Sequence, residues 1–62
     1  MKNEKFYEES IQIIDKMTST VYDLLCKNEY DSNYERDILV AVHNGLQTLT
    51  HLFMFIYNNL NV

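Results

Sequence analysis

Apolar residues in the first half of the chain recur at steps of three and four. Tyr7, Ile11, Ile14, Met17, Val21, Leu24 and Leu25 share one side of a helical projection, and Ser10 and Thr18 are small enough to fit among them. Phe6 and Ile13 widen the stripe on one side, while Glu8, Glu9, Gln12, Asp15, Lys16, Ser19, Asp23 and Lys27 cover the rest. This pattern predicts an amphipathic helix over about 3–27. Asn3 is the expected N-cap, its side chain accepting from an orphan N–H. Glu4, Glu8 and Glu9 suit the positive end of the helix dipole.

The polar run from Asn28 to Ser32 breaks the pattern. Asn28 can end a helix in the left-handed conformation. Ser32-Asn33-Tyr34-Glu35 reads as a capping box and predicts a second helix over about 33–60. There Leu39, Leu46, Phe53 and Leu60 are spaced by seven, with Val42, Leu49 and Ile56 three residues after the first three. That is an a/d heptad seam. Asn44-Gly45 is a turn dipeptide, but Val42 and Leu46 keep one phase across it. A continuous helix is therefore expected, at a cost of about 1 kcal/mol for mid-helix glycine. Ala41 and Gly45, four apart, would let another backbone approach closely. The short connection predicts an antiparallel hairpin, each helix about 35–40 Å long. The expected fold is all-α, with residues 1–62 as one domain.

The second helix is apolar well beyond that seam. Ile38, Gly45 and Leu52 flank it, Val40, Ala41, Met54 and Phe55 lie further round, and Leu52 to Tyr57 is an unbroken apolar run. One partner helix covers one direction only, and a monomer rarely tolerates such a patch. The expected solution is a homodimer of hairpins forming a four-helix bundle. The second helices would take its centre, the first helices would face water, and Asn44, His51 and Asn58 would form a solvent line. The expected oligomer or partner interface comprises Leu39, Val40, Val42, Gly45, Leu46, Leu49, Leu52, Phe53, Met54, Phe55 and Ile56. Tyr30 and Tyr34, set among acids in the connection, are candidate partner contacts or residues packing down on the hairpin end.

Charge narrows the partners. Every Asp, Glu, Lys and Arg lies within the first 37 residues, and the net charge is −4. Phosphate binding needs a Lys/Arg surface, so DNA is not expected and RNA fits poorly. A basic protein surface fits better. A membrane-spanning helix wants about 20 predominantly apolar residues, and His43, Asn44, Gln47 and His51 interrupt the candidate stretch. An interfacial helix carries basic residues that this segment lacks. A single cysteine and no apolar leader favour the reducing cytoplasm.

Candidate chemistry is sparse. His43, Gln47 and His51 fall at i, i+4 and i+8, which sets the two imidazoles about 12 Å apart along the axis, too far for one ion. Cys26 falls opposite the apolar stripe near a helix C-terminus, without the cationic setting of a reactive thiolate. No cofactor, metal or catalytic residue is expected. The expected function is a small non-enzymatic regulatory or inhibitory protein that docks onto a larger protein. An RNA-binding hairpin dimer and a small membrane-associated helical protein are the alternatives. The Asn, Lys, Ile and Tyr bias fits an AT-rich genome, and small chains of this kind are often carried by phages or mobile elements.

Overall fold

The computed structural model describes residues 3–60, with side chains for 3–59. It consists of two helices, α1 (Glu4–Cys26) and α2 (Asn33–Leu60), packed antiparallel. The all-α hairpin expected from the periodicity is present. α2 runs without interruption through Asn44 and Gly45. Gly45 does not use its conformational freedom, because its φ is not positive.

The helix ends show why the chain turns where it does. Asn28 adopts φ 55°, the left-handed conformation. Its N–H donates to Leu25 O at 3.3 Å, and Glu29 N–H donates to Leu24 O at 2.9 Å. These are the paired bonds of a Schellman motif, which satisfy carbonyls that the end of α1 would otherwise leave open. The Tyr30 hydroxyl donates to Asn28 Oδ1 at 2.8 Å and ties the turn together. At the start of α2, Ser32 Oγ accepts from Glu35 N–H at 3.1 Å. The Glu35 carboxylate reaches back to accept from Asp31 N–H at 3.0 Å, one residue further than in the usual reciprocal box.

Asn3 corrects an expectation. It occupies the N-cap position, but its side chain makes no capping hydrogen bond. Its ψ of 10° lies outside the extended region from which a cap side chain folds over the first turn. Its carbonyl nevertheless accepts from Tyr7 N–H at 3.2 Å.

The seam between the helices differs from the a/d reading. Leu39, Leu46 and Phe53 do turn toward α1, but the positions beside them are His43, Thr50 and Tyr57. Val42, Leu49 and Ile56 instead remain 36–41% exposed. On α1, Met17 is also turned out, while Ile14, Thr18 and Val21 hold the seam. A 4-3 pattern through Leu39, Leu46 and Phe53 can continue on either flank, and specific contacts decide which. The Tyr57 hydroxyl donates to Glu8 Oε1 at 2.7 Å. Phe53 meets the rings of Tyr7 and Phe6 at centroid separations of 5.7 and 6.2 Å. His43 meets the Tyr22 ring in a tilted contact with centroids 5.8 Å apart. The Tyr57 and His43 contacts belong to the polar flank of α2, while Phe53 is common to both.

The resulting core is thin. Among the described residues only Ile14 (7% exposed) and Thr50 (8%) are buried. The molecule measures 45 × 14 × 14 Å, and its radius of gyration of 14.2 Å exceeds the roughly 10.5 Å of a compact chain this long.

Candidate protein interaction surface

The seam divides the hairpin into two sides of different chemistry. One side is grooved and polar. Asp15, Thr18, Gln47, Thr50 and His51 line a groove of about 210 Å³. Glu8, Ile11, Gln12, Met54, Tyr57 and Asn58 line a second. Thr50 Oγ1 borders the first groove and is buried without a hydrogen-bond partner. The facing Thr18 hydroxyl has committed its proton to Ile14 O at 2.7 Å.

The other side is flat and apolar. Both grooves are lined by residues that follow the seam in the helical projection of each helix. Both helices are right-handed and they run antiparallel, so the positions preceding the seam on α1 and α2 lie together on the reverse side. On α1 these are Phe6, Ser10, Ile13, Met17, Thr20 and Leu24, at steps of 4-3-4-3-4. On α2 they are Ile38, Val42, Gly45, Leu49, Leu52 and Ile56, at the same steps. Neither row contains a charged residue. Phe6, Ile13 and Met17 are each at least 50% exposed, as is Leu52. An added Cβ at Gly45 would meet nothing within 4 Å, so no contact inside the hairpin calls for glycine there.

The expected interface residues are thus divided among three directions. Val42, Gly45, Leu49, Leu52 and Ile56 share the flat face. Leu39, Leu46 and Phe53 face α1, Met54 borders a groove, and Val40 and Phe55 project elsewhere on α2. Leu60, the last residue of the expected seam, lies outside the described side chains. Of the loop tyrosines, Tyr30 is half-buried against its own turn and Tyr34 is 77% exposed. Phe6, Ile13 and Met17 were absent from the sequence-derived interface because the apolar stripe of α1 was assigned to its own hairpin and the rest of α1 to water. Their 4-3 spacing was the available signal.

The chemistry-bearing residues are dispersed. His43 is half-buried in the seam and His51 lies exposed beside a groove. Among the described residues, no three His, Cys, Asp or Glu side chains are placed to hold a metal ion. Cys26 is an exposed free thiol. Its hydrogen bond with Tyr22 pushes the Tyr22 hydroxyl above the usual phenol value, with smaller contributions from the Cys26 charge, burial and Asp23. The ion pairs Lys5–Glu9 (3.9 Å) and Arg36–Asp37 (3.1 Å) are exposed and contribute little. Within 33–59 of α2, an 18-residue window reaches a mean hydropathy of 1.2, enough by length and composition for a membrane-crossing helix.

Among the described residues, the most extensive feature is therefore a surface, an uncharged apolar face shared by two helices. No family model, curated protein sequence or solved structure matches this chain.

Proposed function

We propose that this chain is a small, non-enzymatic regulatory or inhibitory protein that acts through protein–protein contact, as a homodimer of hairpins forming a four-helix bundle. The exposure of Phe6, Ile13, Met17, Leu49 and Leu52 on one side of the hairpin carries this reading. A 62-residue chain with no disulfide available and little buried interior needs a further source of stability, and association supplies one. The regulatory role rests on surface chemistry. With its apolar side covered, the dimer presents acidic outer residues such as Glu9, Asp15 and Asp23, which suit a basic protein surface. The same mixture of acids and bases is a poor phosphate reader, which weighs against RNA.

Two measurements test this. Sedimentation equilibrium at micromolar concentration should give twice the 7.4 kDa chain mass. Affinity purification from the source cells should return one stoichiometric protein partner, released by salt if the contact is acidic-to-basic. A partner-free dimer at every salt concentration contradicts the regulatory role.

An 18-residue window of α2 that is apolar enough to cross a membrane supports membrane association as a second reading. The chain would then stay with the membrane pellet after a carbonate wash. The soluble homodimer requires that it be released.

A further inference from the structure

We infer that the flat face pairs with a second copy of itself about a two-fold axis perpendicular to the helices, so that α1 lies on the partner's α1, α2 lies on the partner's α2, and the two loops point to opposite ends. This rests on the dimer reading above and specifies its surface, orientation and register. It also moves the interface. The sequence placed α2 alone at the centre, whereas here α1 contributes a full row.

Area supports a second copy as the occupant. The hairpin exposes 4848 Å². A compact 7.4 kDa protein is expected to expose roughly 4,200 Å², so the excess is roughly 600 Å². A stable interface takes about 800 Å² from each partner, the same order. The face is two helices wide and without charge along both rows, so a matching occupant must offer two uncharged rows of the same length. A second copy does. A lipid surface fits less well, because interfacial helices carry basic residues on the side turned to water. Here that side carries Glu8 and Asp15.

Register is set by the sequence positions of the two rows. Folding the α1 row back on itself pairs Phe6 with Leu24, Ser10 with Thr20 and Ile13 with Met17, which centres it on residue 15. Folding the α2 row pairs Ile38 with Ile56, Val42 with Leu52 and Gly45 with Leu49, which centres it on residue 47. Asp15 and Gln47 line the same groove, so the two centres lie at one height along the hairpin. A single axis at that height therefore brings both rows into register together. Gly45 then has a role, because the missing side chain makes room for the partner's leucine. The Thr20 hydroxyl already donates to Lys16 O at 3.0 Å, so it enters the interface with its proton satisfied.

Charge selects this orientation over the alternative, in which α1 lies on the partner's α2 and the loops share one end. The loop end carries Glu29, Asp31, Glu35 and Asp37 against Lys27 and Arg36, a net negative charge. Placing two such ends together sets like charges side by side.

Disulfide trapping tests the orientation. In a Cys26→Ser background, Ile38→Cys and Ile56→Cys chains are prepared separately, mixed, and oxidised mildly. The expected result is a cross-linked dimer from the mixture and none from either chain alone. Cross-linking between Leu24→Cys and Ile38→Cys chains, with none between 38 and 56, overturns the orientation while leaving the dimer intact. A monomer mass for the unmodified chain overturns the dimer reading beneath it. In parallel, Leu49→Glu should reduce the sedimentation mass to that of one chain with helicity retained by circular dichroism, and Phe55→Lys should leave the dimer mass unchanged. A Leu49→Glu chain that remains dimeric overturns the surface assignment. The trapping experiment does not depend on the folding of that variant.

Discussion

The two sides of the hairpin are built from the same pair of helices, and they differ in what they have already satisfied. The grooved side carries contacts that hold the chain together, the Tyr57–Glu8 hydrogen bond and the Tyr22–His43 ring contact, and it leaves one buried hydroxyl, on Thr50, without a partner. The flat side makes few contacts within the hairpin and carries two heptad rows of uncharged residues. In a helix pair this short, polar groups can find partners within one chain, but an apolar face of this width needs a second layer. The difference between the sides separates interactions that fold the hairpin from interactions available for association.

That comparison can be broken by substitutions whose effects depend, or do not depend, on protein concentration. Ile14→Ala removes the one buried aliphatic among the described residues and should cost about 2–4 kcal/mol in denaturant unfolding, at every concentration. Leu49→Ala, on the flat side, should cost about 2 kcal/mol where the dimer is populated, and far less once dilution has separated the copies. An effect of Leu49→Ala that ignores concentration would mean that nothing covers this face. Ser32→Ala removes the hydroxyl that caps α2 and should cost about 1 kcal/mol, read as a lower thermal midpoint. Thr50→Val keeps the shape and removes a buried hydroxyl with no partner, so stability should rise by about 1 kcal/mol, independent of concentration. Gly45→Ala should act in opposite directions on the two states. Helix propensity stabilises the dilute hairpin by somewhat under 1 kcal/mol, while the new methyl crowds the partner's leucine and weakens the dimer.

Most of the backbone was legible in the residues. The turn follows from Asn28, which tolerates the left-handed conformation, and from Ser32 and Glu35, whose side chains reach nearby backbone groups. These signals are local, and local hydrogen bonding is what a sequence encodes most directly. The seam was less legible. Leu39, Leu46 and Phe53 belong to the expected heptad seam and turn toward α1. Their neighbours were assigned to the wrong flank, because hydrophobicity favoured Val42, Leu49 and Ile56 over His43, Thr50 and Tyr57. Hydrophobicity ranks a side chain by its affinity for burial in general. It does not register that a tyrosine hydroxyl can reach a glutamate 49 positions away.

By itself, the sequence determined two helices, their ends, the continuity of α2 through Gly45 and the absence of charge beyond Asp37. All of these depend on residues within a few positions of one another. Only the tertiary structure decided which flank of α2 turns toward α1, and hence that Phe6, Ile13 and Met17 share a side with Val42, Leu49 and Leu52. That depends on the rotation of each helix about its own axis. The rotation is fixed by contacts between residues far apart in the chain, which no local pattern specifies.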